Sequence, residues 1–335
     1  MLHSSPQTEP PKPQLGARGM LIARRMILSI ALACLSGCFD SAGFSGMPEL
    51  VWGQRGISPG RLQKPRAMAI DAQDHLYLVD MTARIQVFDR DGKYLRGWRT
   101  PASQNGRPTG LSISRAGKLL VADTHYYRIL AYELDGRLIE KATIGGTLGN
   151  KPGEFGFVTD VVDDSQGNLY VAEYGDWDRV QKFSPDGRFL LQWGSHGEQP
   201  GQFRRPQNMA IDHHDRIWVA DACNHRIQVF DTTGCLLWYW GEQGSEPGQL
   251  YYPYDLIVIE NDADGSGGDP GQVVVCEYGN HRLQKFTFSG KSLGCWGTHG
   301  RKPGQLHNPW ALVRDSQGKI HVLDSNNNRV QRIDW

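Results

Sequence analysis

The chain has no net charge to offer a partner. Its 36 lysines and arginines meet 36 aspartates and glutamates over 335 residues. A polyanion such as nucleic acid, or an acidic membrane surface, therefore finds no basic field to steer it in. No apolar run reaches the roughly 18 residues that a spanning helix needs. Cysteine is sparse: of the six, Cys34 and Cys38 precede the body, and Cys223, Cys235, Cys276 and Cys295 make no C-x-x-C pair. That spacing excludes a zinc knuckle and a thioredoxin-like motif. For the last four, disulfides in an exported protein and free thiols both stay open. There is also no nucleophile motif, no phosphate-cradling glycine loop and no paired-histidine spacing.

What is present begins with a leader. Residues 1–19 are proline-rich and polar, and read as disordered or untranslated. Arg24-Arg25 then precede a short apolar run over residues 26–33, followed by Leu35-Ser36-Gly37-Cys38. A charged flank, a short apolar stretch and small residues before a cleavage point describe a signal peptide over residues 20–37. The Leu-Ser-Gly-Cys ending resembles a bacterial lipobox, which implies lipidation of Cys38 and a membrane anchor. Residues 38–48 would then be a tether.

The body, residues 49–335, repeats itself. Proline-glycine, a polar residue and Phe or Leu recur at Pro59, Pro152, Pro200, Pro247 and Pro303. Each copy leads to Val-x-Asp/Glu or a close variant, a short turn, and then Arg-Φ-Gln-Φ-Phe/Ile. A spacing of roughly 45–55 residues marks a repeat architecture. The unit from Arg205 to Trp240 predicts four strands: a buried run at Met209-Ala210-Ile211, a second at Ile217-Trp218-Val219-Ala220, a half-buried third at Arg226-Ile227-Gln228-Val229-Phe230, and an outer strand at Leu236-Leu237-Trp238-Tyr239-Trp240. Four strands per unit is the arithmetic of a propeller.

Six units are marked by the acids Asp80, Asp123, Glu173, Asp221, Glu277 and Asp324, with Arg84, Arg128, Arg179, Arg226, Arg282 and Arg329 following them. Unit two is degenerate: it lacks both the proline-glycine phrase and the glutamine. The chain stops after a third strand and starts at Glu49-Leu50-Val51-Trp52-Gly53 with a lone fourth one, so the ends are expected to join in the last blade and remove an open edge. The recurring Trp52, Trp98, Trp193, Trp240 and Trp296 suit packing between blades.

The run Trp-Gly, Pro-Gly-Gln-Phe, Pro, Val-Ala-Asp, Asn-x-Arg-Ile-Gln-Val-Phe resembles the NHL repeat over roughly residues 50–335. That resemblance implies an all-β, six-bladed propeller. Such propellers serve as protein- or RNA-binding platforms, as kinase sensor domains and as amidating lyases. The ubiquitin-transfer activity of some relatives sits on a separate RING module, and no such Cys/His module is written here.

The shared acid and arginine of each unit read as structural, the acid accepting turn N–H groups and the arginine bridging to it. Glu173-Tyr174-Gly175 and Glu277-Tyr278-Gly279 depart from Asp, either as a turn variant or to reach the channel. The positions after the repeat proline are more informative, because they should line the channel mouth. They read Arg66-Ala67, Thr109-Gly110, Thr159-Asp160, Gln207-Asn208, Tyr254-Asp255 and Trp310-Ala311. The candidate ligand-binding residues are therefore Arg66, Thr159, Asp160, Gln207, Asn208, Tyr254, Asp255 and Trp310, a mixture of convergent polar groups and aromatic walls. The oxygens of Asp160, Asn208 and Asp255 would suit calcium or another hard divalent cation. Amidating lyases use channel histidines for zinc, and none of these positions is histidine.

A separate insertion in unit five, over residues 260–272, offers Asp262, Asp264, Ser266 and Asp269, the first half of a calcium loop without its closing glutamate. A flexible surface loop is the competing reading. His196, His225, His281, His299 and His307 lie on turns of one face, as solvated residues or a metal trio. The function expected is a monomeric, membrane-anchored platform for an envelope protein, a glycan or a small molecule, without a nucleic-acid partner and with no cofactor other than a possible divalent cation. The alternative is a metal-dependent hydrolase or lyase at the mouth.

Overall fold

The computed structural model describes residues 46–260 and 271–335. Cys38, the signal peptide and the insertion residues Asp262, Asp264, Ser266 and Asp269 lie outside the described residues.

Six four-stranded antiparallel sheets form the body. Blade 4 is typical: its strands are Pro206–Ile211, Ile217–Asp221, Arg226–Phe230 and Leu236–Trp240, hydrogen-bonded in chain order. The first strands are Pro65–Ile70, Gly110–Ile113, Phe157–Asp163, Pro206–Ile211, Pro253–Glu260 and Ala311–Arg314. Each touches the first strands of both neighbouring blades, and blade 6 meets blade 1, so these strands line the axis of a closed ring. The fold is a six-bladed β-propeller.

The ends join as the repeat count requires. Leu50–Trp52 pairs antiparallel with Arg329–Ile333, with Leu50 opposite Arg332 and Trp52 opposite Val330. Ring closure thus uses backbone bonds of the last blade itself, and that blade keeps no open outer edge at its third strand.

The core lies in the six seams between blades. Strand alternation sends successive side chains to opposite faces, and both faces are covered. In Ile217–Asp221, Ile217 and Val219 pack toward blade 3, whereas Trp218 and Ala220 pack toward blade 5. This corrects the expectation of a half-buried third strand: every residue of Arg226–Phe230 is buried, Gln228 included. The polar positions alternate because they serve a buried polar clamp, and water does not reach them.

That clamp explains why the repeated phrases travel together. Arg226 Nε donates to Asp221 Oδ2 at 2.8 Å, and its two terminal nitrogens donate to the carbonyls of Glu198, Gln199 and Gln202 at 2.8–2.9 Å. Gln228 Nε2 donates to the Gln202 carbonyl, while its Oε1 accepts the N–H of Gly201. The proline-glycine loop therefore has its carbonyls held by the arginine and glutamine of the same unit. Glu173 and Glu277 fill the same role, on Arg179 and Arg282, and are fully buried. They do not reach the channel. Blade 2 lost the loop and the glutamine together, and there Arg128 keeps Asp123 while its Nη2 is buried without a partner.

The outer tryptophans close the seams at the rim. Trp193 of blade 3 lies on Gly234 in the last turn of blade 4, where an added Cβ would come within 2.7 Å of the indole. Trp52, Trp98 and Trp240 repeat the arrangement on Gly92, Gly136 and Gly290.

Candidate functional site at the channel mouth

The mouth is built by a repeated irregularity. In blades 1, 3, 4 and 5 the pairing of first and second strands slips by one residue, at Arg66, Thr159, Gln207 and Tyr254. A bulge leaves one residue unpaired and re-aims its side chain. The bulged residue is in each case the one that the sequence placed at the mouth. Arg66, Gln207, Tyr254 and Trp310 gather around one opening with Thr109, Asn208 and Asp255. Thr159 does not join them; its hydroxyl is buried on the carbonyls of Ala172 and Pro206, at 3.2 and 2.8 Å.

The next residues of the first strands, Ala67, Gly110, Asn208, Asp255 and Ala311, line the same opening, and Asp160, at the equivalent position of blade 3, is buried. Gly110 is required there, since a Cβ would stand 2.1 Å from the Thr159 carbonyl. Asp160 Oδ2 accepts the Met209 N–H at 2.9 Å, and Asp255 accepts the N–H groups of Leu256 and Leu312 at 2.7 and 2.8 Å. Each acid thus ties its blade to the next. Asp160 Oδ1 and Asn208 Oδ1 are buried with no partner. Burial pushes the Asp160 carboxyl up to about 7 and lifts Asp255 well above the carboxylate range, the Asp160 charge adding to the latter. Burial thus favours the protonated form of both acids. The opening that Arg66, Gln207, Tyr254 and Trp310 share with Asn208 and Asp255 leaves about 10 Å³ for water, which is the room of about one water molecule. An organic body can lie over this opening but not enter it; a water or a single ion can.

The rim above is different in kind. Tyr254 stacks on Tyr278 with ring centroids 4.4 Å apart, and Trp310 meets Tyr254 edge-on at 5.0 Å. The Arg66 guanidinium lies 5.4 Å from the Trp310 ring, and that of Arg205 lies 4.9 Å from Tyr174 and 5.8 Å from Tyr254. Two cations and four aromatic rings therefore share the mouth. A wall of flat rings stacks on sugar or aromatic faces, and guanidinium forks orient polar groups.

Comparison with known proteins agrees with this architecture. Residues 203–230 match the family model of the NHL repeat. Rat peptidylglycine alpha-amidating monooxygenase is 33% identical over 127 residues, covering 36% of this chain and 13% of that protein. NHL repeat-containing protein 3 of mouse is 29% identical over 180 residues, covering 48% of this chain and 49% of its own length. The chain thus matches half or less of the length of these relatives. Among solved structures, an auxiliary nutrient binding protein from Bacteroides thetaiotaomicron superposes with a TM-score of 0.62 at 14% identity, covering 82% of this chain and 69% of that one. At that identity the likeness establishes the propeller fold alone.

Three mouth residues escaped the sequence. Arg205 precedes the repeat proline, and a left-handed φ of 59° there turns its side chain into the mouth. Tyr174 and Tyr278 stand beside the glutamates that drew attention, and the shared Glu-Tyr-Gly phrase was their signal. His281, His299 and His307 do come together, with ring centroids 4.5–5.8 Å apart. Yet His281 Nδ1 accepts the Asn308 N–H at 3.0 Å, which puts its proton on Nε2 and leaves no lone pair for a metal. Among the described residues no group of three or more His, Cys, Asp or Glu is arranged to hold a metal ion. Cys223, Cys235, Cys276 and Cys295 are all free thiols.

Proposed function

We propose that this protein is an exported propeller that binds a small molecule or glycan on its mouth face and is held at the cell-envelope membrane by a lipidated Cys38. The observation that carries the binding reading is the cluster of Tyr254, Tyr278 and Trp310 rings beside the Arg66 and Arg205 guanidinium groups, over an opening that itself admits about one water. Tyr278 and Trp310 are half-buried and keep part of their rings at the surface, where a flat body can lie against them, while Tyr254 is buried against both. The auxiliary nutrient binding propellers of Bacteroides support the same direction. A hydrolase or lyase at the Asp160–Asn208–Asp255 level is less well served, since a reacting group needs more room beside a metal than one water occupies.

The test is a thermal-shift screen of neutral and acidic oligosaccharides and small metabolites against the full chain and its Tyr254→Ala and Trp310→Ala variants. A compound that raises the wild-type midpoint and loses its effect in both variants supports the reading. Compounds whose effect survives both substitutions place binding elsewhere, and crosslinking to an envelope protein with no small-molecule hit transfers the role to a protein partner. For the anchor, Cys38→Ala is expected to move the protein from the membrane fraction to the soluble or unprocessed pool, because two or more acyl chains hold a protein stably. Wild type that carries no lipid by mass spectrometry overturns that part.

A further inference from the structure

The cations at the mouth are unlike the other arginines of the propeller. In five of the six blades the clamp arginine has a carboxylate and several carbonyls around it, as Arg84, Arg179, Arg226, Arg282 and Arg329 do. Among the described residues, the Arg66 guanidinium has neither an ion pair nor a hydrogen bond; its one contact of note is the Trp310 ring. Arg205 uses only Nε, on Gln207 Oε1 at 3.2 Å. Both side chains are half-buried. Burial lowers the Arg66 pKa from its ordinary value, and the positive charge of Arg205 pushes the same way. Two like charges have thus been drawn out of water and toward each other with no anion of the protein between them. The buried acids below do not neutralise them, being held by the backbone N–H groups of neighbouring strands.

The ring contacts offset part of this cost. They leave the guanidinium donors unfilled, however, and a planar fork of N–H groups matches a carboxylate in bidentate fashion. We infer that the mouth takes a carboxylate-bearing ligand, its acid group held between Arg66 and Arg205 and its sugar or aromatic body lying against the half-buried Tyr174 and Trp310. This rests on the binding reading above and names the ligand class. An acidic saccharide and a small aromatic acid share that chemistry.

Two matched pairs of probes separate charge from body: trigalacturonate with its methyl ester, and benzoate with benzamide. Binding to the full chain is followed by tryptophan fluorescence, with Trp310 as reporter, and by calorimetry. At least one acid is expected to bind about ten- to a hundredfold more tightly than its neutral partner, with the preference lost in the Arg66→Met/Arg205→Met variant. Trigalacturonate alone binding identifies a saccharide ligand; benzoate alone identifies an aromatic one. Equal binding of acid and neutral partner, with both lost in Trp310→Ala, overturns the charge inference and leaves the binding reading standing. No binding of either acid in the millimolar range overturns the inference. A second measurement needs no ligand. The double methionine variant should melt at or above wild type in low salt, since it removes a repulsion, and a clear fall in midpoint would make the pair structural and refute the proposal.

Discussion

Replacing Asp160 with Asn separates the two roles that a buried channel acid can have. The carboxyl accepts the Met209 N–H through Oδ2, and its Oδ1 has no partner. Asparagine keeps an acceptor for Met209 and removes the charge. Burial raises the folded-state pKa to about 7 from the ordinary 3.8, so the folded protein holds this proton after the unfolded chain has released it. Stability from this group is therefore full below about pH 4, declines as pH rises toward 7, and is level above. At about 1.4 kcal/mol per pKa unit the decline amounts to at most about 4 kcal/mol. Exchanging a carboxylate acceptor for an amide one costs about 1 kcal/mol in the other direction. Asp160→Asn should then match wild type or fall slightly below it near pH 4.5, and exceed it by about 1–3 kcal/mol near pH 8.5. Asp255 is present in both proteins, so its own titration largely cancels in the comparison, apart from its coupling to Asp160. Urea unfolding at several pH values between these limits measures the difference directly. A difference that does not change with pH refutes the protonation argument. A wild type that gains stability from calcium or manganese at pH 8.5, when the variant does not, replaces it with a cation held by Asp160, Asn208 and Asp255.

Deleting the chain through Trp52 removes the strand that pairs with Arg329–Ile333, and the expected result is a lower thermal midpoint with self-association visible by size-exclusion chromatography. Two glycines of similar backbone angle separate strain from collision. Gly201 (φ 83°) faces open space and Gly234 (φ 82°) faces Trp193, so Gly201→Ala should cost about 1 kcal/mol and Gly234→Ala about 1–3 kcal/mol more by denaturant unfolding. Arg226→Met leaves Asp221 buried without its cation and frees three loop carbonyls; a loss of about 3–5 kcal/mol is expected, and a loss below 1 kcal/mol would mean that the clamp is ornamental.

The clamp was legible in the sequence because its donors and acceptors lie within one unit and are drawn from few residue types. Asp221, Arg226, Gln228 and the Pro200-Gly201 loop recur as a set because each satisfies another, and blade 2 lost loop and glutamine together for the same reason. Burial of the third strand was misjudged where local alternation and assembly disagree: Gln228 looks like a solvent-facing residue until the neighbouring blade and its own loop are both in place. At the mouth, the proline marks where each first strand begins, so the bulged residue after it could be found by counting. What the bulge does could not. Thr159 turns onto two carbonyls, one of them from the next blade, whereas Arg66 turns into the opening. Asp160 and Asp255 looked like free oxygens for a metal, and their partners, the N–H groups of Met209 and Leu312, belong to the adjoining first strands. Arg205 came into reach only through a left-handed residue before a proline, a backbone conformation that Lys64, Tyr252 and Asn308 share. In a repeat fold the shared residues must satisfy one another within each unit, so they announce the architecture. The residues that differ between units are released from that duty, and what they do depends on which neighbours the closed ring sets against them. Here it sets the Arg66 guanidinium of blade 1 within electrostatic reach of that of Arg205 at the start of blade 4, which is why the charge at this mouth belongs to the ring and to no single repeat.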